Sequence, residues 1–505
     1  MVESNAWFAA RIDEFRSSPA GEPRQSYLAE FKIKFHALGA EEARNVVKRL
    51  DLEKLWKEFE SDDDEVTETC SLVELLLEAL KPEEILTNYV AELEKLLSSR
   101  VVAPRVLSLE QILKVASDAN GLPLLLARVN LLNSVTQRIG DAELKVANLA
   151  MNVIKRVGKA PEGPKLLYSG VIMRSIAKLL SVDPTVRFRV YEVIIEVAKS
   201  SKEALAASVE SGFMESLIDS INSDDVLIKL NVIELIIPLA LTEDGYKYLN
   251  ERGFVSQMAN QIEHAKESPL DALFIPGLIK FFGCTARSNP YEIFAKYPVA
   301  VLSLFDLISG NDMAILPIAL DTLGYISETV QSKYALQDLK VMPMAMKKIG
   351  ELMQNSTAEV KISACSNLAK ILHVDKSEQD NRIVTLTKSW FDALGEDPLK
   401  LVVDISRLPF NDLRNAAYEV LVEIASQQWG QESIVNYPGM MEFLLNRRNE
   451  TCKQCKETKY AMIKNLSESD VIDSSNLDSL KTYVQEGAFY KGSDIDYEVN
   501  FEGAS

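Results

Sequence analysis

Residues 183–200 read DPTVRFRVYEVIIEVAKS, and residues 225–241 read DVLIKLNVIELIIPLAL. Laid over each other, Ile195, Val197 and Ala198 fall on Ile237, Leu239 and Ala240, an offset of 42. Upstream, Leu113, Val115 and Ala116 carry the same pattern at an offset of 82, two periods of 41. Glycines mark another point of the cycle: Gly170-Val171, Gly212-Phe213 and Gly253-Phe254 each open an apolar helical run, at successive offsets of 42 and 41. A recurrence of this length is the period of armadillo and HEAT repeats, in which two or three short helices form one unit. The spacing predicts an all-α chain, an armadillo/HEAT-like α-solenoid superhelix. Each unit would bury its apolar face against the next.

The local chemistry agrees with that reading. The polar break SVDPT at 181–185 stops one helix. Asp183 can cap the next, and Pro184 sits in the first turn, where a missing N–H costs nothing. Val186 and Val190 follow one turn apart, and Val193, Ile194 and Val197 face the neighbouring helix. Further back, Leu72, Leu75, Leu76 and Ala79 share a helical face, which Leu80 extends. Looser copies lie downstream: MAILPIALDTLGYIS from Met313, KISACSNLAKIL from Lys361 and LRNAAYEVLVEIA from Leu413. Pro238, Pro276 and Pro317 fall inside apolar runs and read as ordinary bends or helix breaks.

The rest of the chain sets the boundaries. Residues 1–60 are expected to form an irregular helical cap, with helix-like runs at 31–38 and 46–59 and a polar patch, SSPAGEPRQS, at 17–26. Residues 61–482 are assigned to the repeats, with Asp62-Asp63-Asp64-Glu65 as a solvated turn. Residues 483–505 are read as an acidic, partly disordered segment in which Phe489 and Tyr490 fold back onto the last repeat. Apolar residues make up 47% of the 505, enough for an extended core, and the net charge is −19. That charge disfavours nucleic acid and anionic membranes and suits a partner with a basic face. No secretory or membrane-spanning segment is evident. Five cysteines, an odd number, fit a reducing compartment, so the cytosol or nucleus is expected.

Reactive constellations are not evident. There is no phosphate-binding glycine loop, no GxSxG and no HExxH. His36, His264 and His373 lie far apart, and His373 stands beside Asp375 only as a commonplace pair near a helix end. Cys452 and Cys455 form a single CKQC, without the second ligand pair that a structural zinc needs. They are read as residues on either side of a helical turn, and Cys284 and Cys365 as buried core. Lys347-Lys348 and Arg447-Arg448 are small basic clusters, and the series Lys453, Lys456, Lys459, which could dock a carboxylate, is read as a solvated helix face. Trp390 and Trp429 are read as structural. No cofactor, metal site or catalytic residue is assigned.

Several stretches carry a resemblance: VRFRVYEVIIEVAKSS from Val186, LFIPGLIKFFG from Leu273, YVQEGAFY from Tyr483 and, above all, residues 389–431, with WFDAL, the DPL and RLPF turns and QQWGQ. Together with the length, they resemble the 26S proteasome non-ATPase regulatory subunit 5 family over roughly residues 65–492. The resemblance implies a dedicated assembly chaperone that is neither a protease nor an ATPase. It implies binding to the C-terminal domain of one proteasomal ATPase subunit in a precursor module of the base, and absence from the finished particle. No contact residue is carried over, and the free chain is expected to be monomeric. The alternative from the repeats alone is a generic armadillo scaffold. The four tryptophans, Trp7, Trp56, Trp390 and Trp429, are not spaced one repeat apart, which speaks against the tryptophan ladder of an armadillo transport receptor.

Overall fold

A computed structural model of the chain describes residues 2–60, 66–265, 271–310 and 312–490. The chain divides into two compact units, Met1–Tyr248 and Leu249–Ser505. Thirty-three α-helices, joined by short turns and 3-10 segments, account for the architecture, and no strand occurs among the described residues. The all-α solenoid read from the period is the arrangement found.

The repeat is a helix triplet. In the first unit, Pro82–Asn88, Val90–Leu97 and Val102–Ala116 form one triplet, and the third helix of each triplet packs on its counterpart in the next. The third helices make the longest stack: Thr67–Glu78, Val102–Ala116, Leu144–Lys159, Pro184–Ala198 and Val226–Ala240. The second unit has its own stack, Ile275–Ser288, Leu316–Ile326, Ala358–Leu372, Asn411–Ala425 and Lys453–Ser467. From Val102 onward, the helix starts in the first stack advance by offsets of 42, 40 and 42. In the second they advance by 41, 42, 53 and 42, the long interval containing residues 373–380, which lie between helices and include only a short 3-10 turn. We call these two stacks the N-terminal and C-terminal ladders. Three helices per unit is the armadillo form of the repeat.

The sequence signals act where they were placed. The Asp183 carboxylate accepts the Val186 N–H at 2.9 Å, and Pro184 occupies the first turn. Val186, Val190, Val193, Ile194 and Val197 are all buried. At roughly 25 cal/mol per Å², this repeated burial is the main term holding each ladder. Gly170, Gly212 and Gly253 have φ of 56°, 78° and 73°, and each stands at the entry to a second helix. That left-handed turn costs an L-residue about 1–2 kcal/mol, which is why glycine recurs there.

Some expectations are corrected. Pro276 and Pro317 sit in the first turns of their helices and break nothing, so Pro238 alone of the three is inside a helix. Pro238 lies on the same exposed stripe as Leu227, Asn231 and Glu234, where water can serve the freed carbonyl. The N-terminal residues are more regular than expected. Val2–Ser17 is a helix, and Glu22–His36 begins inside the polar patch, with proline in its first turn. The two pack through Phe8, whose ring centroid lies 5.0 Å from Phe31 and 5.8 Å from Phe35. Ala79 lies just past its helix and is only half-buried. The acidic run 62–65 and residues 491–505 lie outside the described residues.

Candidate interaction surface

Each ladder leaves one stripe of every helix uncovered, and side chains on those stripes reach from repeat to repeat. In the N-terminal ladder the links are ion pairs: Lys145–Glu110 at 2.9 Å, Lys155–Glu192 at 2.6 Å and Lys159–Glu196 at 2.8 Å. Between Pro184–Ala198 and Val226–Ala240 lies a groove with a volume of about 500 Å³. Phe188, Ile228 and Leu235 line it, Leu227 stands beside it 68% exposed, and Glu192, Asp225 and Glu234 supply carboxylates. The groove is apolar at its floor, with Arg189 and acidic side chains at its border.

The C-terminal ladder is joined differently. Asn367, fully buried, donates to Asp321 at 2.7 Å and to the Ser363 carbonyl at 2.9 Å. Gly324 makes room for it, since a Cβ there would lie 2.4 Å from Asn367 Oδ1. Asn415 donates to Glu419 at 2.8 Å and accepts from Thr458 at 2.8 Å. His373, in the long interval, bonds Glu423 through Nδ1 at 2.8 Å, and Lys376 pairs with Glu468. The Glu423 hydrogen bond holds the His373 pKa above the ordinary imidazole range.

The residues singled out in the sequence fall at several places. Trp390 is buried and donates Nε1–H to Gln337 at 3.0 Å. Trp429 donates to Gln427 at 2.9 Å. Gln427 also accepts from Thr387 at 2.6 Å and donates to the Leu372 carbonyl at 2.8 Å, so one buried amide joins neighbouring repeats. Both tryptophans are structural, as read. Cys365 is buried, whereas Cys284 is only half-buried. His36 is exposed, and the side chain of His264 lies outside the described part. Lys347 is exposed, but Arg447 is not a simple solvated charge. Its guanidinium stacks 3.6 Å from the Tyr483 ring centroid and donates to the Gly487 carbonyl at 2.7 Å. Tyr490 folds back to 5.3 Å from the same group, while Phe489 is 52% exposed.

The lysine series is corrected too. Lys459 is 1% exposed, and its ammonium donates to the Phe443 and Asn446 carbonyls and to Asn449 Oδ1 at 3.1, 2.7 and 2.7 Å. Burial lowers its pKa to about 8. Nearby, the buried Glu450 carboxylate accepts from Tyr418 at 2.8 Å and pairs with Arg414 at 3.1 Å. Lys333, fully buried and bonded to the Ser327 carbonyl, is pushed down to about 7 by burial. Nothing in the sequence marked Lys333 or Glu450, and Gln427 stood out only as part of QQWGQ in the resemblance. Among the described residues, no three His, Cys, Asp or Glu side chains cluster as metal ligands. No described helix is long and apolar enough to cross a membrane.

The fold and surface define an all-α helical-repeat protein whose side chains are spent on joining repeats. The chain belongs to the family described as proteasome non-ATPase 26S subunit, which it matches over residues 4–504. It is 30% identical to the human 26S proteasome non-ATPase regulatory subunit 5 over 461 residues, 90% of this chain and 92% of that relative. The bovine and mouse proteins of the same name are 30% and 29% identical, covering 90% and 92% of those relatives. An engineered protein of known crystal structure aligns with a TM-score of 0.40 and 18% identity, covering 83% of this chain and 99% of its own.

Proposed function

We propose that this chain is an assembly chaperone for the base of the 26S regulatory particle. In this reading it binds the C-terminal domain of a proteasomal ATPase subunit within a precursor module, leaves before the mature particle forms, and performs no catalysis. It acts as a monomer in the cytosol, with the nucleus as a second site. Membership of a proteasome non-ATPase subunit family over nearly the whole chain supports the proteasomal setting.

The observation that carries the binding role is the apolar groove between Pro184–Ala198 and Val226–Ala240, with Leu227 held out beside it. A few buried apolar anchors carry most of the free energy of a protein interface. The net charge of −19 favours encounter with a basic face of the partner. The test is size-exclusion chromatography of the full chain with each ATPase C-terminal domain in turn, followed by a native gel of intact 26S particles. One domain should co-elute, and Leu227→Asp should weaken its capture by roughly thirtyfold, the effect of losing a hot-spot anchor. Capture of none of the domains, or stoichiometric retention in assembled 26S, overturns this reading and leaves a generic scaffold.

A further inference from the structure

Cys452 and Cys455 lie on either side of a helical turn, and that turn is the first of its helix. Cys452 is the N-cap of Lys453–Ser467, and Cys455 lies inside its first turn. Residues three apart at a helix start have Cβ atoms about 5–6 Å apart, and a disulfide needs about 3.5–4.5 Å, so closure requires the N-cap residue, which lies outside the regular helix, to move toward Cys455. As the N-cap, Cys452 makes no side-chain hydrogen bond to the first turn, so its sulfur is not tied to the helix it opens. Cys452 is half-exposed, whereas Cys455 is fully buried and points its Sγ–H at the Asn411 carbonyl, 3.4 Å away. The turn before them is fixed from two sides. Lys459 binds the carbonyls of Phe443 and Asn446, and Arg414 and Tyr418 hold Glu450.

We propose that Cys452 and Cys455 form a redox-active dithiol, in which Cys452 is the attacking thiol and Cys455 the resolving one, exchanging with low-molecular-weight disulfides of the glutathione class. The Cys452 thiolate attacks one sulfur of the external disulfide and expels its first half as a thiolate, leaving a mixed disulfide. Cys455 then attacks the Cys452 sulfur, gives its proton to the departing thiolate and closes the internal bond. Two protein thiols are oxidised, one external disulfide is reduced to two thiols, and no other reactant is needed.

The surroundings divide the two roles. The N–H groups at the helix start, that of Cys455 first, lower the Cys452 pKa, so its thiolate is favoured. Burial pushes Cys455 up to about 12, so it stays protonated until the mixed disulfide is in contact with it. A loop this short takes little chain entropy from the unfolded state, so the bond adds little stability. Stabilising the reduced thiolate makes it easy to reduce. It is therefore suited to reversible exchange. Closure takes the Cys455 sulfur away from Asn411, the first residue of the preceding ladder helix.

The experiment equilibrates the full chain in buffers of stepped oxidised-to-reduced glutathione ratio, quenches with acid, alkylates, and maps thiols by mass spectrometry. The expected result is a disulfide between Cys452 and Cys455 that forms in oxidised glutathione and reverts fully in reduced glutathione. Cys455→Ser should instead accumulate a glutathione adduct on Cys452, and Cys455→Ala, which keeps that buried position apolar, should do the same. Cys452→Ser should acquire no adduct at Cys455. Alkylation of both thiols at every ratio, a disulfide to another cysteine, or equal adduct formation at Cys455 in Cys452→Ser would overturn the proposal.

Discussion

The two ladders solve the same packing problem with different chemistry. The N-terminal ladder ties its exposed stripe with Lys–Glu pairs, of which Lys145, at 65% side-chain exposure, is the most open. Such pairs are worth little in water, about 0–1 kcal/mol each, and are screened by salt. The C-terminal ladder has exposed links too, such as Lys376–Glu468, but adds links sunk into the packing: Asn367, Asn415, Gln427 and Glu450 are all buried and hydrogen-bonded. A buried polar group left unpaired costs about 1–3 kcal/mol. Those links therefore fix which residues meet, where the exposed pairs only bias it. The difference places adaptable surface in the first unit, where the apolar groove is, and specified packing in the second.

The largest effect should come from the second unit. Trp390→Ala removes a buried indole and its bond to Gln337, and should cost about 3–5 kcal/mol. Scanning calorimetry should register a clear fall in melting temperature; an unchanged melt with lost partner binding would move Trp390 to an interface. Asn367→Ala should cost about 1–3 kcal/mol by leaving its neighbours unpaired, read by denaturant unfolding. A loss below the size of an exposed pair would erase the contrast between the ladders.

The third effect depends on pH. The folded-state pKa of His373 is raised, chiefly by its hydrogen bond to Glu423, with Asp375 adding and Lys333 opposing. Its contribution is therefore fully present below the unfolded imidazole value, about 6.5, and is lost as pH rises through the folded value. The stability gap between the native chain and His373→Ala should narrow upward across that window. A gap that widens instead would mean that neutral His373 is the stabilising form. The smallest effect is the Lys159–Glu196 pair. A double-mutant cycle should give about 0.2–1 kcal/mol at low salt and less at high salt. A salt-independent coupling above that range would place the N-terminal ladder with its neighbour.

How far the sequence could be read is clearest at the lysines 453, 456 and 459. Spaced every third residue, they look like one face. Three residues are fewer than the 3.6 of a full helical turn, so each step falls short and the series drifts around the helix. That drift carries Lys459 from solvent onto residues 443–449, where three oxygens receive it. CKQC was legible as a helical turn but not as the start of a helix. Its spacing is plain in sequence, but whether it opens a helix or sits inside one is settled by the preceding turn, which Lys459 and Arg414 hold in place. At 183–186 the cap and proline were legible because both act on their own backbone.

The sequence by itself determined the repeat: its length, its apolar faces, its glycine turns and its caps. These arise from contacts within about one turn of chain and from a periodicity that needs no knowledge of the partner helix. Only the tertiary structure decided which polar side chains are links and which are solvated. That choice depends on the residue a full repeat away, as with Asn367 and Asp321, 46 positions apart. It also depends on burial, which turns a weak pair in water into a costly one to break.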